Sequence, residues 1–398
     1  MATAGYAAGV ETNAVVLSYA AETAWGTLPS VAFKALRLTS ESLSGQKTRQ
    51  RPSEINATRQ ASAAITTQES AGGQISFALS YGTFDDLFAG LLGDDWSTPL
   101  AIDSAAGDIS TVATGNKLTS TTAGKFTAIA VGQWIKLSGF AAGANTNNGW
   151  YRISAKTSAQ DITLAGKTVT NETPAGTAAK IRGSMLRNGV NFQSFYVQKQ
   201  VGAGQFLRYP GSYVTAGSIA AALGQPVSGS FTLASQQEMK ATTDASTGAI
   251  TAAPAGRVHD TVAGLGTLQM DDAAIAATVE SFSLDLTNEG AAAQYGLGSA
   301  AAAGMLGGTF TGAGRLRTFF KDFTLYDRFK SEAAGRIAFR TADDTGAGYV
   351  FTGLNTTIVN PQIVAGGPGQ AVMAEFALEL NPDATTGKTL QIDRAPAA

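Results

Sequence analysis

Residues 72–81, GGQISFALSY, alternate in character. Ile75, Phe77, Leu79 and Tyr81 fall on one face and Ser76, Ala78 and Ser80 on the other, the period-two pattern of a half-buried strand. The next stretch, TFDDLFAGLLG, changes period. Phe84, Leu87, Phe88, Leu91 and Leu92 recur at helical spacing, which predicts a short amphipathic helix. Thr83 is placed to cap the amide of Asp86, whose carboxylate sits in the positive first turn, and Gly93 is placed to end the helix.

The pattern returns later in the chain. TFDDLF (83–88) is echoed by TLYDRF (324–329), 241 positions on, with Thr324 as cap, Asp327 in the first turn, and Leu325, Tyr326 and Phe329 as the stripe. A segment opening Gly-Gly precedes each copy: GGQISFALSY and GGTFTGAGRLRTFF. Upstream, LRLTSE (36–41) matches LDLTNE (284–289) at an offset of 248. Downstream, GSFTLAS (229–235) matches AEFALEL (374–380) at an offset of 145, Phe231 and Leu233 answering Phe376 and Leu378. The drop from 241 to 145 requires 96 extra residues in the first copy. Residues 97–185 supply most of them as short strand-like runs (KFTAI, QWIKLSGF, GWYRISA, DITLA, AAKIRG) between Gly, Asn and Thr turns, which read as a small β-barrel or sandwich.

The predicted fold class is therefore mainly β: two tandem β-sandwich or barrel units, each with one flanking α-helix, plus a small inserted all-β domain. The expected division is an N-terminal arm (1–32), a first unit (33–96 with 186–240), the insert (97–185), a linker loop (241–278), a second unit (279–382) and a C-terminal tail (383–398).

Composition narrows the function. The 398-residue chain has formal net charge −2 and only 15% charged residues, which argues against a dedicated nucleic-acid binder. It has no cysteine, so neither a disulfide framework nor a thiolate-ligated metal is available. The start, MATAGYAAGVETNAVV, has no basic n-region and carries Glu11 early, so it is not read as a secretory signal; no apolar run approaches the roughly 20 residues that span a bilayer.

The order of motifs resembles a known family. ETAWGTLP (22–29), FKALRLTSESL, a polar loop with RPSEINATR (51–59), and GGQISFALSYGTFDDLFAGLLGDDW (72–96) are similar to the tail tube proteins of long-tailed bacteriophages of the siphophage type. So are QWIKLSGF…NNGWYRI and LRNGVNFQSFYVQKQ (186–200), and the resemblance spans essentially the whole chain. It implies tail-tube-type units that form stacked rings around a bore through which DNA reaches the host cell. It also implies that a chain with two fused units closes as a trimer with pseudo-sixfold symmetry. The implied partners are further copies of the chain, within and between rings, and the tape-measure, tail-tip and terminator proteins. DNA passes through without specific binding, and no membrane is involved. The implied location is the virion tail, after synthesis in the host cytoplasm.

A tube wall must hold together while its bore lets DNA slide, so bore-facing strand positions should be small, polar and not basic. The candidates are Ser76, Ser80, Ser283, Asp285, Glu375 and Glu379, with Arg336 and Arg340 as exceptions to the rule. The same positions also fit an ordinary water-facing sheet. Ring closure is expected to use backbone pairing between units, which removes open sheet edges. The long polar stretch 44–73, with Lys47, Arg49, Arg51, Glu54 and Arg59, is the candidate contact onto the next ring, or else a disordered hairpin tip. Its counterpart 290–304 carries no charge and is expected to pack through small residues. The N-terminal arm is expected to lie on a neighbouring subunit.

The insert is expected to project from the outside of the tube. Its Trp134, Phe140, Trp150 and Tyr151 are read as a barrel core, with a glycan platform as the other reading. No enzyme signature is present, and no cofactor is expected. His259, the only histidine, is read as a surface loop residue, and Asp343–Asp344 as a turn or a weak cation site. Two alternatives to a tube subunit remain: a secreted or surface carbohydrate-binding adhesin, and another ring component such as a terminator or baseplate protein.

Overall fold

A computed structural model describes residues 9–397 except 56, 142–145, 175–178, 263 and 267. The elements of the two larger parts are β1 (Val16–Ala21), β2 (Ser44–Gln50), β3 (Ile65–Ala78), α1 (Asp85–Leu92), β4 (Phe195–Gly202), β5 (Gln205–Ala222), β6 (Ser228–Ser235), β7 (Val279–Glu289), β8 (Thr309–Phe319), α2 (Thr324–Lys330), β9 (Gly335–Ala342), β10 (Gly348–Val364), β11 (Met373–Asn381) and β12 (Leu390–Ala395). The fold is mainly β. Among the described residues its strand ladders are antiparallel, as expected for strands patterned with one apolar and one polar face.

One sheet runs through both parts in the order β2-β3-β6-β5-β7-β8-β11-β10. The element order β2-β3-α1-β4-β5-β6 is matched by β7-β8-α2-β9-β10-β11, and the strand registers match too. Ile75 lies opposite Phe231, and Leu316 opposite Phe376, reproducing the offsets 241 and 145. Phe195↔Ser212 and Val197↔Tyr209 become Gly335↔Thr356 and Ile337↔Gly353, with the register break at the same place. Ser44↔Gly72 and Lys47↔Glu69 become Asp285↔Ala313 and Asn288↔Phe310, every residue moved by 241. This corrects the match of LRLTSE with LDLTNE. Its offset of 248 is seven residues out of register, and Leu284 answers Leu43, not Leu36.

The apolar faces of these strands make one core, in which Ile75, Phe77, Phe231, Leu233, Leu284, Leu286, Leu316, Phe376 and Leu378 are all buried. Helix α1 covers it. Phe84, Leu87, Phe88, Leu91 and Leu92 are buried as the periodicity predicts, and Gly93 ends the helix in the left-handed conformation (φ 66°). Thr83 does not cap α1. Its hydroxyl pairs with Ser80 Oγ at 2.7 Å, and Phe84 occupies the cap position without a side-chain bond. In α2 the cap is also not Thr324, whose amide donates to Asp322 Oδ1 at 3.0 Å. Only Leu325 of α2 is buried.

The insert has its own core, including Ile109, Leu118, Phe126, Ile135, Tyr151, Ile153 and Ile181. Its last strand, Lys180–Arg187, leaves the insert and pairs through residues 184–187 with β12. The stretch expected to be a C-terminal tail therefore holds a central strand, paired also with Gly348–Gly353 of β10, with Leu390, Ile392 and Asp393 fully buried. Within the described part of the N-terminal arm, residues 16–22 pack on their own chain: β1 pairs with β4, and Glu22 accepts from the Gly211 amide at 2.8 Å and the Ser194 hydroxyl at 2.6 Å. His259 is not at the surface. It is fully buried, with Nδ1 3.1 Å from Thr341 Oγ1 and its ring beside Tyr349.

Candidate assembly surfaces

The eight-strand sheet turns its second face away from the core. Ser76, Ser283, Asp285, Glu375 and Glu379 alternate with buried neighbours and lie on this face. Ser80 does not: it is buried, bonded to Thr83, and bridged through its backbone to Val258. The first half of the face is neutral and cross-linked by small hydroxyls, Gln74 Nε2 donating to Ser230 Oγ at 3.0 Å and Ser230 lying 2.9 Å from Ser218. The second half carries charge that the sequence reading missed. Arg315 and Arg317 of β8 share this face, since they alternate with the buried Gly314, Leu316 and Thr318. Arg317 pairs with Glu280 at 2.9 Å and Arg315 with Glu375 at 3.7 Å. The alternation in GRLRTFF was the available signal. Arg336 and Arg340 lie on β9, outside this sheet run; Arg336 pairs with Asp272, and burial pushes the Arg340 guanidinium down from its ordinary range.

Residues 44–50 and 65–73 are strand, not loop. They form a two-stranded arm whose register continues from Ser44↔Gly72 out to Gln50↔Ile65, with its β2 strand exposed throughout. Lys47 pairs with Glu69 at 2.7 Å, the Arg49 and Arg51 side chains donate to the Ala64 and Ser62 carbonyls, and Glu54 accepts from Ser62 Oγ. Arg59 sits at the tip with φ 57°. The uncharged counterpart folds back onto the first part of the same chain: the Glu69 amide donates to the Ala300 carbonyl at 2.7 Å, and Gln236 Nε2 to the Ala302 carbonyl at 2.9 Å.

The insert interrupts the first part in sequence but docks on the second. Trp134 and Trp150 are neither the insert's core nor an exposed platform. They pack on Ala338, Val350 and Ala395, and Trp134 Nε1 donates to Thr352 Oγ1 at 3.2 Å. Phe140 and Tyr151 do belong to the insert's core. Lys136 Nζ reaches the Gly346 carbonyl at 2.7 Å. Arg152 makes a bidentate pair with Asp272, both contacts 2.5 Å; burial works against the Asp272 carboxylate, but Arg152 and Arg336 hold it below its ordinary range. Asp343 closes a turn by accepting from the Thr345 and Ala347 amides through Oδ1, which supports the turn reading.

At each end of the sheet run a stretch of edge lacks a neighbouring strand among the described residues. On the outer side of β10, residues 357–364 have no strand partner, and Ile363 and Val364 are 37% and 56% exposed. On the outer side of β2, side chains take the place of a strand. The Leu43 amide donates to Glu41 Oε2 (2.9 Å), the Gly45 amide to Glu238 Oε2 (3.0 Å), and Tyr209 Oη to the Leu43 carbonyl (3.1 Å).

The sheet thus has one apolar and one polar face, and among the described residues stretches of both its end strands lack a strand partner. The chain belongs to the phage tail tube protein family, whose model matches residues 12–380, nearly its whole length. It is a structural component of the virion tail that assembles with itself into a tube. No curated protein matches it.

Proposed function

We propose that this chain is the major tail tube subunit and that three copies close a ring of six units, stacked around a bore that delivers DNA. The observation that carries this is the matched register of the two halves. The first unit (33–96 with 186–240) and the second (279–382) act as two successive members of one ring wall, with 241–278 crossing between them. The polar face of the sheet lines the bore. Ser76, Ser283, Asp285, Glu375 and Glu379 present small or acidic groups there, and the pairing of Arg315 and Arg317 with acids leaves little free positive charge to hold DNA phosphates. The arm carrying Lys47, Arg49, Arg51, Glu54 and Arg59 reaches the next ring, the insert stands on the outer wall, and the tape-measure, tail-tip and terminator proteins meet the tube at its bore and ends. Electron microscopy of the purified protein, class-averaged end-on, tests this. The expected particles are hollow rings or tubes with six-lobed walls and three outer knobs. Six knobs per ring would overturn the trimer, and monomers alone, even beside tail-tip proteins, would return weight to an adhesin.

A further inference from the structure

The seam between the two halves is a strand pair. Inside the chain, β5 pairs with β7: Ser218 lies opposite Asp285, Ile219 opposite Leu284 and Ala220 opposite Ser283. Each strand has a counterpart whose matching side, at the corresponding residues, carries no strand among the described residues. The positions follow from shared partners. Ser218 faces Ser230 and Gln362 faces Glu375; Ile219 faces Gly229 and Ile363 faces Ala374, shifts of 144 and 145. The β7 positions 283–285 correspond to Ser42, Leu43 and Ser44 through the 241 offset.

We infer that the end of β10 in one copy pairs antiparallel with the 40–46 edge of a second copy, Gln362 opposite Ser44, Ile363 opposite Leu43 and Val364 opposite Ser42. This rests on the ring reading above and specifies its register. Two further observations point the same way. Ile219, at the internal seam, is 2% exposed, whereas Ile363 is 37% exposed, the condition of a core position whose cover is missing. Helix α1 is sealed by the second half, Phe88 lying between Phe231 and Phe351 with ring centroids 5.2 and 5.8 Å away. In α2 the equivalent Phe329 is only partly buried and Phe323 is 56% exposed. The residue that answers Phe351 is Leu207, so Leu207 of the second copy covers Phe329. On docking, Glu238 and Glu41 give up the Gly45 and Leu43 amides to backbone carbonyls.

The chain has no cysteine, so introduced pairs report cleanly. In assembled rings, Ser44→Cys with Gln362→Cys should oxidise to covalent trimers, while the free chain gives none. Ser44→Cys with Val364→Cys, two residues out of register, should cross-link far less. Ser218→Cys with Asp285→Cys is the internal control and should close within one chain. Ile363→Asp should leave the monomer's melting temperature unchanged and abolish rings. Rings that form with a closed internal control but no Ser44–Gln362 product, or an Ile363→Asp chain that still assembles, overturn the seam and leave the tube standing. A wild-type chain that forms no ring overturns the tube reading itself.

Discussion

Tyr349 Oη donates to Asp85 Oδ1 at 2.5 Å, joining the second half's β10 to the first half's helix α1. Arg394 of β12 pairs with the same carboxylate and stacks over the Trp96 ring at 4.2 Å. Burial pushes the Asp85 carboxyl up, and Arg394 and Tyr349 pull against it. The network is thus a buried charge with two partners. Tyr349→Phe removes one of them and is expected to destabilise the chain by about 1–3 kcal/mol, read from urea denaturation. Asp85→Ala strands the Arg394 charge and is expected to cost more, about 3–5 kcal/mol. Equal, near-zero losses would mean that this network does not help to join the halves.

Among the insert's contacts with the rest of the chain is the pair of Arg152 with Asp272 of the linker, which also holds Arg336 of the second unit; the Arg152 and Asp272 side chains are 8% and 19% exposed. Asp272→Ala leaves the Arg152 guanidinium without its bidentate partner. The insert should loosen without unfolding, because its core is its own. The expected result is faster protease cleavage in the connections near residues 97 and 188, with the insert's hydrogen-exchange protection kept. Unchanged cleavage would show that Trp134 and Lys136 hold the insert without it.

Two buried groups give the fold opposite pH dependences. Burial pushes His259 down to about 4, below the ordinary histidine value near 6.5, so its contribution is fully present above about pH 6.5 and is lost as pH falls through 4. Burial pushes Asp393 up to about 8, although Gln391 and the Trp134 amide oppose it. Its contribution is present below about pH 4 and lost as pH rises through 8. Between pH 6.5 and 8 only the second effect acts, so the denaturation midpoint should fall across that interval in wild type and stay flat in Asp393→Asn. The same slope in both proteins would rule Asp393 out as its source.

Much of this architecture was legible because apolar spacing survives duplication. Phe231 and Leu233 recur as Phe376 and Leu378, and the α1 stripe is buried residue for residue. LRLTSE misled because residues 36–39 are not strand, so alternating leucines there carry no register. His259 was unreadable because its burial is made by Thr341 and Tyr349, more than eighty positions away. The last strand was missed for a related reason. Asp393 and Arg394 look like a polar tail until β10 and the end of the insert enclose them.

The polar face of the sheet can be tested by charge alone. Glu379 is exposed on β11, directly across from Ala313, and no arginine pairs with it among the described ion pairs. Glu379→Lys therefore adds positive charge to the face with little effect on folding, since an exposed group of this kind contributes about 0–1 kcal/mol. If this face lines the bore, phage carrying the lysine should assemble normally but release DNA more slowly at low salt. Rising ionic strength should restore the rate, because screening shortens the reach of each lysine to about 8 Å at 0.15 M and about 3 Å at 1 M. Glu379→Gln, which adds no positive charge, should stay close to wild type. Release that is identical in all three phages at every salt concentration would place this face away from the DNA.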